Sequence, residues 1–168
     1  MTVGFDRGMS HATGSQESLP QHPMHGSPYA PSPSKWVADQ VDAYERSGGI
    51  EATTIGDNGL PVVIMTMVGH HTGLTRKVPV MRVEHDGVYA AVASLGGAPE
   101  NPLWYSNLTV NRNVELRDGA TVREMVAREI TGDEKALWWQ RCVEAYPPYA
   151  EYQQKTDRQI PVFLLEPV

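Results

Sequence analysis

The residue types able to do chemistry in this chain gather in four short clusters, each close to the end of an apolar run or the start of a helix. The first is Gly69-His-His-Thr-Gly-Leu-Thr-Arg-Lys77. Its glycines let backbone N–H groups approach a ligand. With Thr72, Gly73 and the cations Arg76 and Lys77 it suits a phosphate or a carboxylate, and equally a solvated hairpin loop. His70 and His71 stand inside it. The second is Ala93-Ser-Leu-Gly-Gly97, where a small hydroxyl precedes Gly96 and Gly97. A flat ring can lie against such a backbone, with Ser94 donating to a ring carbonyl; a plain turn uses the same residues.

The third cluster is Asn101-Pro-Leu-Trp-Tyr105. A helix starting here would offer free N–H groups to an anion, and Trp104 would wall a pocket or fill a core. The fourth is Tyr146-Pro-Pro-Tyr-Ala-Glu-Tyr152, in which tyrosines recur every third residue. On a helical turn Tyr149 and Tyr152 are neighbours, so these phenols either rim a pocket or pack against a sheet. No GxSxG, HExxH, P-loop or GxGxxG run is present, which argues against the usual serine, zinc, nucleotide and nicotinamide enzymes.

These clusters need elements to hold them. Ser34 is placed to cap a helix over residues 35–47, with Val37, Val41 and Tyr44 on one face and Gly48-Gly49 ending it. That helix is expected to plug a barrel or cover an edge. Strands follow at 61–68, 78–85 and 88–94, the last two joined by Asp86-Gly87, a type I′ hairpin signal. Asn101 and Pro102 read as N-cap and first residue of a helix carrying Asn107. A hairpin over 114–117 and 121–129, a helix over 133–145 and a strand over 160–166 complete the chain. About six strands, mostly in antiparallel hairpins, predict a mainly β (α+β) fold, a small barrel with short flanking helices.

The chain has 168 residues, enough for one domain with a sizeable core. Residues 1–34 are polar and rich in Ser, Pro, Gly and His, and are expected to be a disordered tail, with 28–34 an extended linker; residues 35–168 form the domain. His11, His22 and His25 lie in the tail without metal-ligand spacing, so no metal is expected. The net charge of −6 argues against a nucleic-acid partner. The single cysteine, Cys142, excludes an intrachain disulfide, reads as a buried helix residue and fits a reducing cytoplasm. No apolar window of membrane-spanning length occurs, so no stable membrane insertion is expected.

Taken together and in this order, the clusters resemble the deazaflavin (coenzyme F420)-dependent nitroreductase family of actinobacteria. The family's G-x-x-[ST]-G-x-x-R, A-S-x-G-G and N-P-x-W-Y-x-N-L runs match Gly69 to Leu108, and its Tyr-Pro-x-Tyr-x-x-Tyr and T-D-R-x-I-P segments match Tyr146–Tyr152 and Thr156–Pro161. The resemblance implies a split β-barrel of the flavin-mononucleotide-binding type. It implies hydride transfer from reduced coenzyme F420 to a small organic acceptor: a nitroaromatic, a quinone or an activated enone.

By the same resemblance the coenzyme contacts are His70, His71, Thr72, Gly73, Arg76 and Lys77 for the anionic tail. Ala93, Ser94, Gly96, Gly97, Asn101, Pro102, Trp104 and Asn107 would lie along the ring. Tyr146, Tyr149, Tyr152 and Trp104 face the acceptor, with the hydroxyls of Ser94, Tyr149 and Tyr152 as the catalytic set. Two places depart from the family: His70-His71 stand where many relatives carry Lys or Arg, Leu95 stands where some carry Lys, and Lys77 is expected to compensate. A barrel binding flavin mononucleotide or heme, or a non-catalytic coenzyme carrier, stays open as an alternative, as does the choice between monomer and homodimer.

Overall fold

The computed structural model describes residues 27–168. Strand β2, Leu60–Val68, is apolar along most of its length because both faces are covered. Val63, Met65 and Met67 enter one core, and Val62 and Ile64 another. Strands β5, Val88–Val92, and β8, Val162–Pro167, repeat this, with alternate residues in different cores. A strand covered on both sides needs a continuous apolar run. Strand β7, Thr121–Glu129, has one wet face and alternates instead: Met125 and Ala127 are buried, Val122 and Val126 exposed.

The remaining strands are β1, Thr54–Ile55; β3, Thr75–Met81; β4, Glu84–His85; and β6, Asn113–Asp118. All pairings are antiparallel, in the order β1-β2-β6-β7-β8-β5-β4, with β3 also on β2. The sheet curls into a split half-barrel with flanking helices, as expected. Helix α1, Lys35–Arg46, lies on the outer face of β2, where Val41 and Tyr44 pack on Val62 and Ile64. The Tyr44 hydroxyl donates to Val62 O (3.2 Å) and accepts from Gly119 N (2.8 Å), tying the helix to two hairpins. Helix α2, Leu103–Val110, drops Trp104 and Leu108 into the barrel interior. Helices α3, Gly132–Ala145, and α4, Pro148–Gln154, cover the other face of β5 and β8. Cys142 is fully buried there, and burial pushes its thiol up to about 12.

Several expectations need correction. Ahead of α1, residues 27–30 bond to the start of β3: Thr75 N donates to Pro28 O, Ala30 N to Thr75 O, and the Thr75 hydroxyl to Ser27 O. Unpaired backbone at a strand start captured a segment that composition alone marked as linker. His11, His22 and His25 lie outside the described residues. Strand 78–85 starts earlier, at Thr75, and breaks at Arg82-Val83, where Arg82 N turns to Pro61 O. That break and the two-residue β1 raise the expected six strands to eight among the described residues. Asn101 is not the cap of α2; Pro102 holds that position, and the Asn101 side chain is engaged elsewhere. The Asp86-Gly87 turn has both residues at positive φ (52° and 81°), as a type I′ hairpin requires.

Candidate active site

The end of β5, the outward part of β3, α1 and α4 enclose a cleft of about 560 Å³. Of the candidate residues, Ser94, Gly96, Pro102, Trp104, Tyr146, Tyr149 and Tyr152 line it. Clusters two, three and four therefore share one cavity, although up to 58 residues separate Ser94 from Tyr152.

Ser94 lies two residues past the end of β5 and caps a 3-10 turn, Leu95–Gly97. Leu95 (φ 44°), Gly96 (64°) and Gly97 (83°) are successive left-handed residues, which reverses the chain sharply beneath the cleft. An ideal Cβ on Gly97 would stand 2.7 Å from Tyr152 O, so only glycine lets this turn pack on α4. Ser94 is 8% exposed, and its hydroxyl makes no hydrogen bond among the described residues. Its carbonyl is occupied by Gly97 N (2.9 Å) and the Arg158 guanidinium (2.8 Å).

Proline at the start of α4 sets the three tyrosines on one short helix and its approach. Their rings meet edge to face: Tyr146–Tyr149 at 4.9 Å and Tyr149–Tyr152 at 6.2 Å between centroids. Tyr146 and Tyr152 hydroxyls hydrogen-bond each other at 3.1 Å. That bond, with burial, pushes Tyr152 up to about 12. Tyr149 is 4% exposed, and its hydroxyl has no hydrogen-bond partner among the described residues. Burial, with Cys142 and the other phenols adding to it, raises its pKa well above the ordinary phenol value. Both lone hydroxyls thus stay protonated near neutral pH and are available as donors to whatever fills the cleft.

The first cluster is placed elsewhere. His70, His71, Thr72, Gly73, Arg76 and Lys77 do not line the cleft. Gly69 to Leu74 close a tight loop on their own hydrogen bonds, with the Thr72 hydroxyl accepting from Leu74 N. His70 donates from its backbone N (3.0 Å) and its Nδ1 (2.9 Å) to Asn107 Oδ1, which fastens the loop to α2; Asn107 is buried in doing so. Strand alternation sends Arg76 and Lys77 to opposite faces. Lys77 Nζ meets both Glu45 oxygens of α1, at 2.7 and 2.8 Å. Arg76 stands on the barrel side with Val78 and Val80, half-buried and without a carboxylate partner among the described residues.

Sequence patterns missed two parts of the site. Trp36 and Val37 of α1, the turn at 55–58 and residues 78–81 of β3 form the opposite wall. Nothing in their local pattern separates them from helix, turn and strand surface. Arg158 was visible only as the third letter of the T-D-R-x-I-P segment. In the structure it bonds Ala93, Ser94, Ala98 and Asn101 together. Among the described residues no group of three or more His, Cys, Asp or Glu side chains is placed to hold a metal, and no helix is long and apolar enough to cross a membrane.

The residues present fit a flat, polar-edged coenzyme. The cleft combines aromatic and aliphatic walls with two hydroxyls that open on it, a glycine turn at its floor, and on the adjoining barrel face the half-buried Arg76, which has no carboxylate partner among the described residues.

A structure described as an F420-H2 dependent reductase is 53% identical, covers 63% of this chain and 94% of its own, and superposes with a TM-score of 0.61. Another, described as a domain-swapped dimer, is 47% identical, covers 80% of this chain and all of its own, with a TM-score of 0.63. An F420H(2)-dependent quinone reductase of Mycobacterium tuberculosis is 32% identical over 108 residues, 62% of this chain and 72% of that protein. Residues 36–167, nearly the whole described domain, match one family throughout. The chain belongs to the F420H(2)-dependent quinone reductase family.

Proposed function

We propose that this chain reduces a planar, electron-poor organic acceptor, of the quinone or nitroaromatic class, at the expense of reduced coenzyme F420. The observation that carries the reading is a pair of hydroxyls, Ser94 and Tyr149, on mostly buried residues of one largely apolar cleft, neither hydrogen-bonded to protein among the described residues. Each hydroxyl opens on the cleft with its proton uncommitted to the protein, so both are free to donate to a ligand that carries matching acceptors.

When bound, the deazaflavin supplies the hydride; the protein supplies orientation and a proton donor. Ser94 and the N–H groups of Leu95 and Gly96 would hold the ring edge, with Ala93, Gly97, Asn101, Pro102 and Trp104 forming the adjoining surface beside Gly96. Arg76 would take the anionic tail, with Thr72, Gly73, His70 and His71 beside it and Asn107 anchoring the loop. Tyr146, Tyr149 and Tyr152 would cover the acceptor. Tyr149, kept protonated by burial, would donate to the acceptor oxygen as negative charge develops there, and Tyr152 would do so through its bond to Tyr146. The relative described as a domain-swapped dimer supports a homodimer.

Titration of the full chain with coenzyme F420 and with flavin mononucleotide, followed by an acceptor panel, tests the reading. Expected are micromolar binding of F420 alone and turnover of quinones or nitroaromatics, lowered about 100-fold in Tyr149→Phe. Binding without turnover of any acceptor would leave a coenzyme carrier; tighter binding of flavin mononucleotide would overturn the coenzyme assignment.

A further inference from the structure

Arg158 lies in the loop between α4 and β8, and its guanidinium donates to four oxygens. Nε reaches Ala98 O (2.9 Å), Nη1 reaches Ala93 O (3.2 Å) and Asn101 Oδ1 (2.8 Å), and Nη2 reaches Ser94 O (2.8 Å). These acceptors span the whole segment that carries Ser94, from the end of β5 to the approach to α2. No carboxylate pairs with Arg158 among the described residues, and partial burial lowers its pKa. A partly desolvated cation without a counter-ion is costly, and only neutral oxygens offset the cost here. What this residue contributes is therefore the rigid, planar fork of donors rather than an ion pair.

The segment it holds needs holding. Leu95 is a bulky residue at φ 44°, half-exposed at the cleft, and such a left-handed conformation is strained and persists only where its surroundings dictate it. Gly97 is fixed from one side by its close approach to Tyr152. From the other side, the Arg158 fork ties Ala93 and Ser94, just after β5, to Ala98 and to Asn101 before Pro102.

We infer that Arg158 is a positioning residue for coenzyme binding: its guanidinium fork fixes the Ser94–Gly97 turn and Asn101 in the arrangement that receives the ring. The inference rests on the coenzyme reading above.

Its test compares the full chain with Arg158→Met, Arg158→Lys and Asn101→Ala, with the exposed Arg123→Met as control. Affinity for coenzyme F420 is read by fluorescence titration, and local order by amide hydrogen exchange. Arg158→Met is expected to weaken F420 binding at least tenfold and to speed exchange at residues 94–98 selectively, while the KM for the acceptor stays as in the parent. Lysine, which keeps the charge and donors but not the fork, recovers part of the affinity. Asn101→Ala, which removes one of the four acceptors, falls between, and Arg123→Met matches the parent. Parental affinity and exchange in Arg158→Met would overturn the inference, as would faster exchange spread evenly over the chain. Should the Met variant not fold, the Lys and Asn101→Ala variants decide, since parental behaviour in both overturns it. Should the parent chain not bind F420, the coenzyme reading fails, and the exchange pattern at 94–98 alone decides whether Arg158 orders the turn.

Discussion

Arg76 and Lys77 are adjacent in sequence and opposite in surroundings. Lys77 is 18% exposed and bound to Glu45, itself 25% exposed, on the α1 side of β3. Its charge is neutralised there, so it does not stand free beside the first cluster, as the sequence led us to expect. Arg76 faces the barrel with no carboxylate among the described residues. Arg76→Met is therefore expected to weaken coenzyme binding about tenfold or more, since a charge-assisted hydrogen bond contributes about 1.5–3 kcal/mol. Lys77→Met is expected to change coenzyme affinity less than about twofold while lowering stability by about 1 kcal/mol, because half-buried Glu45 loses its partner. Coenzyme titration and urea unfolding of the two variants separate these outcomes; equal loss of affinity in both would show that Lys77 reaches the ligand.

At the scale of elements, the site is a junction of strand ends held by close backbone contacts. The turn after β5 and helix α4 meet where Gly97 touches Tyr152, so the floor of the cleft and its tyrosine cover are set by one contact. Gly97→Ala combines a left-handed φ of 83° with a Cβ placed 2.7 Å from Tyr152 O and 3.0 Å from its Cα. Both obstacles are backbone and cannot rotate away. A loss of about 2–4 kcal/mol is expected, with weaker acceptor turnover as α4 shifts. Gly96→Ala has φ 64° but meets nothing within 4 Å, so only the conformational cost of about 1 kcal/mol is expected. Urea melts of the two variants check the ordering, and an equal loss in both would remove the contact from the account.

Over the whole molecule, three apolar clusters share the sheet, and burial of phenols within and between them couples stability to pH. Tyr149 is raised by burial, Tyr89 is pushed up to about 12 by burial and its bond to Asp118, and Tyr152 to about 12 by its bond to Tyr146. Each folded-state value lies above the ordinary phenol value of about 10. The unfolded chain therefore releases protons that the folded chain retains, so the stability present below pH about 10 is lost as pH rises from there towards about 12. Thermal melts between pH 9 and 11.5 are expected to show this fall, and Tyr149→Phe to show a shallower one with a melting temperature unchanged at pH 7. An identical alkaline slope in the variant would remove Tyr149 from the balance.

Sequence alone determined the four clusters and the kinds of element that carry them. Turn glycines, alternating or continuous apolar runs and helix stops act over a few residues, so Asp86-Gly87, the β6–β7 hairpin, the tyrosine spacing on α4 and the burial of Cys142 were legible. The order of the motifs carried the coenzyme expectation that the family match later joined. Tertiary structure alone decided which clusters share a cavity, which face of β3 each cation takes, and that residues 28–30 bond to the start of β3. It also recruited Trp36 and residues 78–81 as a wall and made Arg158 the tie between Ala93, Ser94, Ala98 and Asn101. These depend on strand register and sheet curl, which join residues tens of positions apart and leave no mark in any short window of sequence.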